Sequence, residues 1–187
     1  MDFEPFDATA PYDVQPVVNG TPADHHVRGM MFNRLQRALR ESGRRIPFKL
    51  YPLRDYNALI VRAAETLYPG STIGEGLWNV GAFAVKAFGE SMAGRTFFTL
   101  ADGDFTKGLR RLPNAYDLVQ DHGRLEIVEA TEQQVIVRLR DIWRPTPFHV
   151  GLMDAAMAFF RRRGSFSVRE ERLGTVLVKA TDIQALD

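Results

Sequence analysis

Acid–base or metal chemistry in this chain would fall to its four histidines and its paired carboxylates. A metal centre needs ligands that converge, for example two histidines one helical turn apart. His25 and His26 are adjacent and leave a helix in different directions. His122 sits beside Gly123 in a turn, and His149 opens a helix. None has a partner at ligand spacing, so neither a metal site nor any other cofactor is expected. Glu126 and Glu129 face opposite sides of a strand, and Glu170 and Glu171 diverge as neighbours. Paired acid–base work needs two carboxylates meeting in a cleft. Asp102 and Asp104 in ADGDF lack the distal glutamate of a calcium loop; turn and helix-cap chemistry accounts for both. Cysteine is absent, which excludes disulfides, thiolate zinc and a thiol nucleophile. No nucleophile, base and orienting group can be assembled, and the chain is read as a non-enzyme.

Anion chemistry leaves fainter marks. GEGLWNVG has the glycine density of a phosphate loop, yet it follows a helix rather than a strand and lacks the P-loop lysine. Basic residues occur in separate groups: Arg40, Arg44 and Arg45; Arg110 and Arg111; Arg161, Arg162 and Arg163. The first and last groups lie near helix C-termini, where cations complement the helix dipole. The last trio is kept as a candidate anion contact. A net charge of +1 and the lack of a contiguous basic face argue against a nucleic-acid partner.

The elements that position these residues follow from apolar spacing. Residues 1–23 form an N-terminal arm that mixes Pro, Asp, Asn and Gly, in which Val14, Val17 and Val18 suit a short edge strand beside Pro16. One domain is expected over 24–183. Its first helix spans about 24–42, with Val27, Met31, Leu35 and Ala38 on one stripe. A second covers about 52–68. Pro69-Gly70 stops it, and Thr72 with Glu75 forms a capping box for a third. Asp104 caps a fourth helix that contains Pro113. After Gly123 the period changes to two. A hairpin over about 125–139, a helix over about 148–163 and a second hairpin over about 166–180 complete the chain. The fold class is α+β: an N-terminal helical layer, then a four-stranded antiparallel sheet built as hairpin, crossing helix, hairpin.

The third helix is the unusual element. Gly74, Gly76, Gly81 and Gly89 interrupt it, and each helical glycine costs about 1 kcal/mol relative to alanine. Such a helix expects another backbone, or a ligand, to come close. Trp78 and Phe83 also lie off its main apolar stripe, which leaves a second face to bury. Gly74, Leu77, Trp78, Gly81, Phe83, Val85 and Phe88, with Met31 and Leu35 of the first helix, are therefore the candidate interface or ligand pocket. The surplus apolar surface predicts a homodimer joined through the first and third helices.

GMMFNRLQRAL, YPLRDYNALIVRAAETLYPG, GLWNVGAFAVKAFGESMAGRTF and DGDFTKGLRRLPNAYDLV together resemble a paralogous family of proteins of unknown function, of about this length and expanded in myxobacteria. The likeness covers about residues 25–180. More distantly the chain is similar to the superfamily of heme nitric-oxide-binding domains, 4-vinyl-reductase domains and TRAPP vesicle-tethering subunits. That resemblance implies an α+β domain that holds heme or another small apolar ligand, or serves as an interaction subunit. The heme-binding branch carries an axial histidine on the helix before the first hairpin, and a Tyr-x-Ser-x-Arg motif after it. LRRLPNAYDLV has no histidine, and VRLRDIWRP lacks the tyrosine and the serine. Purified protein is expected to carry neither heme nor stoichiometric metal.

The expected function is a non-enzymatic regulatory or scaffolding module, a homodimer that also meets an unidentified protein partner. The alternative is a sensor that binds a small apolar ligand, not heme, between helices and sheet. An acidic, proline-broken N-terminus and the lack of any long apolar run predict no secretory signal and no membrane partner. With no cysteine, the expected location is the cytoplasm.

Overall fold

The computed structural model describes residues 2–101 and 103–186; Asp102, assigned above to a turn, lies outside them. In chain order the elements are β1 (Glu4–Pro5), α1 (Gln15–Gly20), β2 (His26–Arg28), α2 (Gly29–Ala38), β3 (Leu50–Pro52), α3 (Leu53–Leu67), α4 (Ile73–Gly89), α5 (Met92–Ala101), α6 (Phe105–Asp117), β4 (Arg124–Ala130), β5 (Val135–Arg140), α7 (Thr146–Phe159), β6 (Arg162–Arg172) and β7 (Thr175–Ala185). The α+β class holds, but the sheet has five strands, in the order β1-β6-β7-β5-β4, all antiparallel. A separate two-stranded ribbon pairs β2 with β3.

Two expectations are corrected. Val14, Val17 and Val18 do not make a strand. Residues 15–20 are helical, with Pro16 in the first turn, where its missing N–H costs nothing. The edge strand is Glu4–Pro5, which pairs with Ser167 and Val168. The first long helix starts at Gly29 rather than near 24. Val27 pairs with Tyr51 and bridges to Gln120, so its neighbours are extended. The helix that contains Pro113 runs unbroken from Phe105 to Asp117, as expected of one element.

Other local signals act as read. Thr72 Oγ1 accepts from the Glu75 N–H at 3.2 Å, and the Glu75 carboxylate accepts from the Thr72 N–H at 2.8 Å. Asp104 accepts from the Lys107 N–H at 2.9 Å.

Burial organises the chain around two cores. One joins the inner face of the sheet (Val135, Val137, Leu139, Val176, Val178) to Phe105, Leu109 and Tyr116 of α6 and Val150, Met153 and Met157 of α7. The other is helical: Phe32 and Leu35, Tyr56, Leu59 and Ile60, Leu77 and Val80, with Phe148 from α7. Helix α7 takes part in both. It packs most heavily on α4, where each helix offers a glycine to the other. A Cβ on Gly81 would collide with the Phe148 carbonyl and lie 2.9 Å from the Leu152 nitrogen. A Cβ on Gly151 would collide with the Trp78 carbonyl. Gly76 meets Ala64 of α3 in the same way, at 3.0 Å, and Gly74 lies under the Ala8 carbonyl of the N-terminal segment. Gly74, Gly76 and Gly81 of α4 thus serve three different neighbours, and at each it is protein that comes close.

Candidate functional site

Between the two cores lies a cavity of about 130 Å³. Helices α2, α4, α6 and α7 wall it. Met31 and Leu35 come from α2, Phe83, Val85 and Phe88 from α4, Phe105 and Leu109 from α6, and Leu152, Ala156 and Met157 from α7. Nearly all the wall is hydrocarbon, so water gains little there. The sequence candidates divide. Met31, Leu35, Phe83, Val85 and Phe88 are brought together on this wall. Gly74, Leu77, Trp78 and Gly81 are placed elsewhere, in the contacts of α4 with the N-terminal segment, the helical core, the sheet core and α7. The second apolar face of α4 is thereby used within the chain.

The arginine trio does not converge. Arg161 sits at positive φ just after α7, and Arg162 and Arg163 are successive residues of β6, so their side chains alternate across the sheet.

One polar group on the wall was missed by sequence reasoning. Arg144 is 4% exposed, and its Nε and Nη2 have no hydrogen-bond partner. Its backbone is held by its neighbours. Ile142 is buried in the sheet core. The Trp143 carbonyl accepts from Asn57 Nδ2 at 2.6 Å, and the Trp143 ring lies against Gly20 and Gly174. Asn57, itself fully buried, also donates to Thr21 Oγ1 at 3.0 Å. Around the guanidinium stand Tyr56, whose ring centroid is 5.7 Å away, Tyr116, His122 and His149. Burial pushes the hydroxyls of Tyr56 and Tyr116 up to about 12. It pushes His149 down to about 3 and His122 down to about 4, with the Arg144 charge adding to both. All four are neutral at pH 7. The available sequence signal was thin: an arginine between Trp143 and Pro145, leading into an apolar helix whose first acid is Asp154.

Sequence reasoning also left the other histidines apart, and the fold gathers them. The bridge from Val27 to Gln120 brings β2 to the turn after α6. There the His25 and His122 rings stack with centroids 4.4 Å apart, and His26 Nδ1 lies 3.1 Å from the Asp121 carboxylate. Among the described residues no group of histidine and carboxylate side chains could hold a metal ion.

The two buried histidines carry a pH prediction. A free histidine titrates near 6.5, whereas His122 and His149 stay neutral down to about 4 and about 3. Between these limits the unfolded chain binds more protons than the native one. Stability therefore rises with pH across the window and is lost as pH falls through it. The urea midpoint should be flat above about pH 7 and fall from about pH 6.5 to 4.5. A midpoint unchanged over that range would refute the buried neutral state.

Comparison with known proteins places the chain. Residues 21–177 match the family described as protein of unknown function, DUF2378. The chain belongs to this family. No curated protein sequence matches it. Among solved structures this DUF2378 protein is similar to an H-NOX protein from S. oneidensis in the Fe(II)NO ligation state, with a TM-score of 0.60 at 12% identity, over 86% of this chain and 99% of that one. The unliganded Fe(II) H-NOX protein from K. algicida matches with a TM-score of 0.59 at 11% identity, over 93% and 96%. An oxygen-binding H-NOX domain related to soluble guanylate cyclases matches with a TM-score of 0.57 at 14% identity, over 93% and 91%. At such identities the likeness establishes an H-NOX-like fold for the DUF2378 chain.

Heme, the group this fold implies, does not fit the residues present. Pockets for drug-sized ligands run to about 300–1,000 Å³, well above the 130 Å³ found. Among the described residues no histidine lines the cavity. Methionine is a heme ligand beside a histidine, so Met30, Met31, Met153 and Met157 are not enough. Tyr116 is the only oxygen ligand that α6 offers to the cavity. With its hydroxyl pushed up to about 12 it is a neutral phenol, and it shares a 3.4 Å hydrogen bond with His149 Nδ1. No helix among the described residues is long and apolar enough to cross a membrane.

Proposed function

We propose that this DUF2378 protein is a ligand-sensing domain, and that its ligand is a small, largely apolar molecule other than heme. The observation that carries this reading is the cavity between α2, α4, α6 and α7. It is close in size to an engineered apolar cavity of about 150 Å³ that takes up benzene. Its walls come from both cores, so a molecule inside touches the helical layer and the sheet layer together. Small occupants of about six to ten non-hydrogen atoms suit the volume, and 1-hexanol is a convenient neutral probe.

Calorimetric titration of the full chain should show one 1-hexanol per protein. Ala156→Leu places three further carbons on the wall and should abolish binding while leaving the fold, by circular dichroism, unchanged. Failure of the wild-type protein to bind the probe, or undiminished binding by Ala156→Leu, would overturn the reading.

A second reading, a homodimeric or partner-binding module, has one observation in its favour. Ile46 and Phe48 are 63% and 74% exposed, with half-buried Tyr51 and exposed Leu50 nearby on the same segment. Light scattering that shows a monomer at high micromolar concentration would count against the dimer.

A further inference from the structure

We infer that Arg144 is the anchor for an acidic head group, and that the ligand is a small apolar monocarboxylic acid whose carboxylate meets the guanidinium while its body lies along the cavity. The inference rests on the ligand-sensing reading above and narrows it. Three observations carry it.

The first is an uncompensated charge. A guanidinium stays protonated in proteins, and burying a charge without a partner is strongly unfavourable. Arg144 takes part in none of the ion pairs among the described residues. Its close titratable neighbours are two tyrosines and two histidines, none of them an acid. No carboxylate among the described residues neutralises the guanidinium.

The second is position. Arg144 lines the cavity, and two of its donor nitrogens are buried without a hydrogen-bond partner. A planar guanidinium with free N–H groups matches the two oxygens of a carboxylate. The loop that carries it is held at Ile142 and Trp143, so little ordering remains to be done when a ligand arrives.

The third is charge number. Among the described residues Arg34 is the other cation on the wall, and it already meets the Glu90 carboxylate at 3.3 Å. One free positive charge in a hydrocarbon cavity suits a monoanion. A phosphate dianion would leave a negative charge unmatched. The acidic ligand thus has one carboxylate and an apolar body of five or six carbons.

The test compares hexanoate with 1-hexanol on the full chain at pH 7.5 by calorimetry. Both have the same carbon number and differ in the head group. Hydrogen bonds to a charged partner predict that hexanoate binds at least about tenfold more tightly. Arg144→Met should erase that preference, weakening hexanoate at least about tenfold more than 1-hexanol. Arg144→Lys keeps the charge without the fork and should retain part of the preference. Circular dichroism reports whether each variant is folded. If 1-hexanol binds and hexanoate binds no tighter, or if folded Arg144→Met keeps the preference, the anchor is refuted and the apolar-ligand reading stands. If neither probe binds the wild-type protein, both fall. Should Arg144→Met not fold, the wild-type ratio and the lysine variant decide, and a ratio near one overturns the inference.

Discussion

Replacing Gly81 with alanine is expected to lower stability by about 2 kcal/mol or more, because one methyl group is forced into the backbone of α7. The sign is informative. In an open helix the same change would stabilise by up to about 1 kcal/mol. Here the new Cβ meets the Phe148 carbonyl, and carbonyl oxygens in a packed helix have nowhere to move. For a chain of this size a loss of about 2 kcal/mol corresponds to roughly 4–8 °C in Tm. Gly151→Ala should behave alike, since its Cβ would meet the Trp78 carbonyl from the other side. The double variant should cost clearly less than the two losses added. Once one methyl has separated α4 from α7, the second finds part of the space already open. Thermal melts of the three variants check this. A Gly81→Ala protein that melts at or above wild type would show that the helices are not in backbone contact.

Arg144→Met should do the opposite and raise Tm. A buried charge with no counterion opposes folding, and exchanging buried ionic groups for apolar ones of similar volume is neutral or stabilising by about 1–4 kcal/mol. Methionine has the length and flexibility to fill the space left by the arginine stem. A protein that grows more stable when one buried residue is replaced has retained that residue for something other than folding. A lower Tm for Arg144→Met, by more than the error of the melt, would mean that the guanidinium is satisfied in the native state.

Much of the architecture was legible because it rests on local periodicity. The 3.6-residue spacing of Tyr56, Leu59, Ile60 and Ala63, and the alternation of Val135, Val137 and Leu139, specify α3 and β5 without help from distant residues. The elements that sequence reasoning misplaced are short and are decided by tertiary pairing. Val27 is extended because Tyr51 and Gln120 flank it. Glu4–Pro5 is a strand because β6 is there to receive it. The glycines of α4 announced a close approach, and the approach is real. Which neighbour each one meets depended on Ala8, Ala64 and Phe148, and nothing in α4 itself points to them. The site was harder still. Apolar residues at helical spacing read as core whether or not a gap remains between them. Arg144 is noteworthy for the lack of an acid nearby in space, which no spacing along the chain records.

The pairing of β1 with β6 has a consequence in time. Glu4 and Val168 are register partners, so the segment that completes the sheet is made 164 residues before the strand that receives it. At synthesis rates of about 5–20 residues per second, it waits on the order of ten seconds for its place. The helical core, drawn from residues 14–80 with Phe148 arriving later, is largely translated by then. The sheet edge therefore closes as a late event, when the last hairpin emerges and Phe6 can bond the Phe166 carbonyl at 2.9 Å. Until that moment β6 has an open side on which another nascent chain could pair. Pro5 then terminates the finished edge with a residue that has no N–H to offer a further strand.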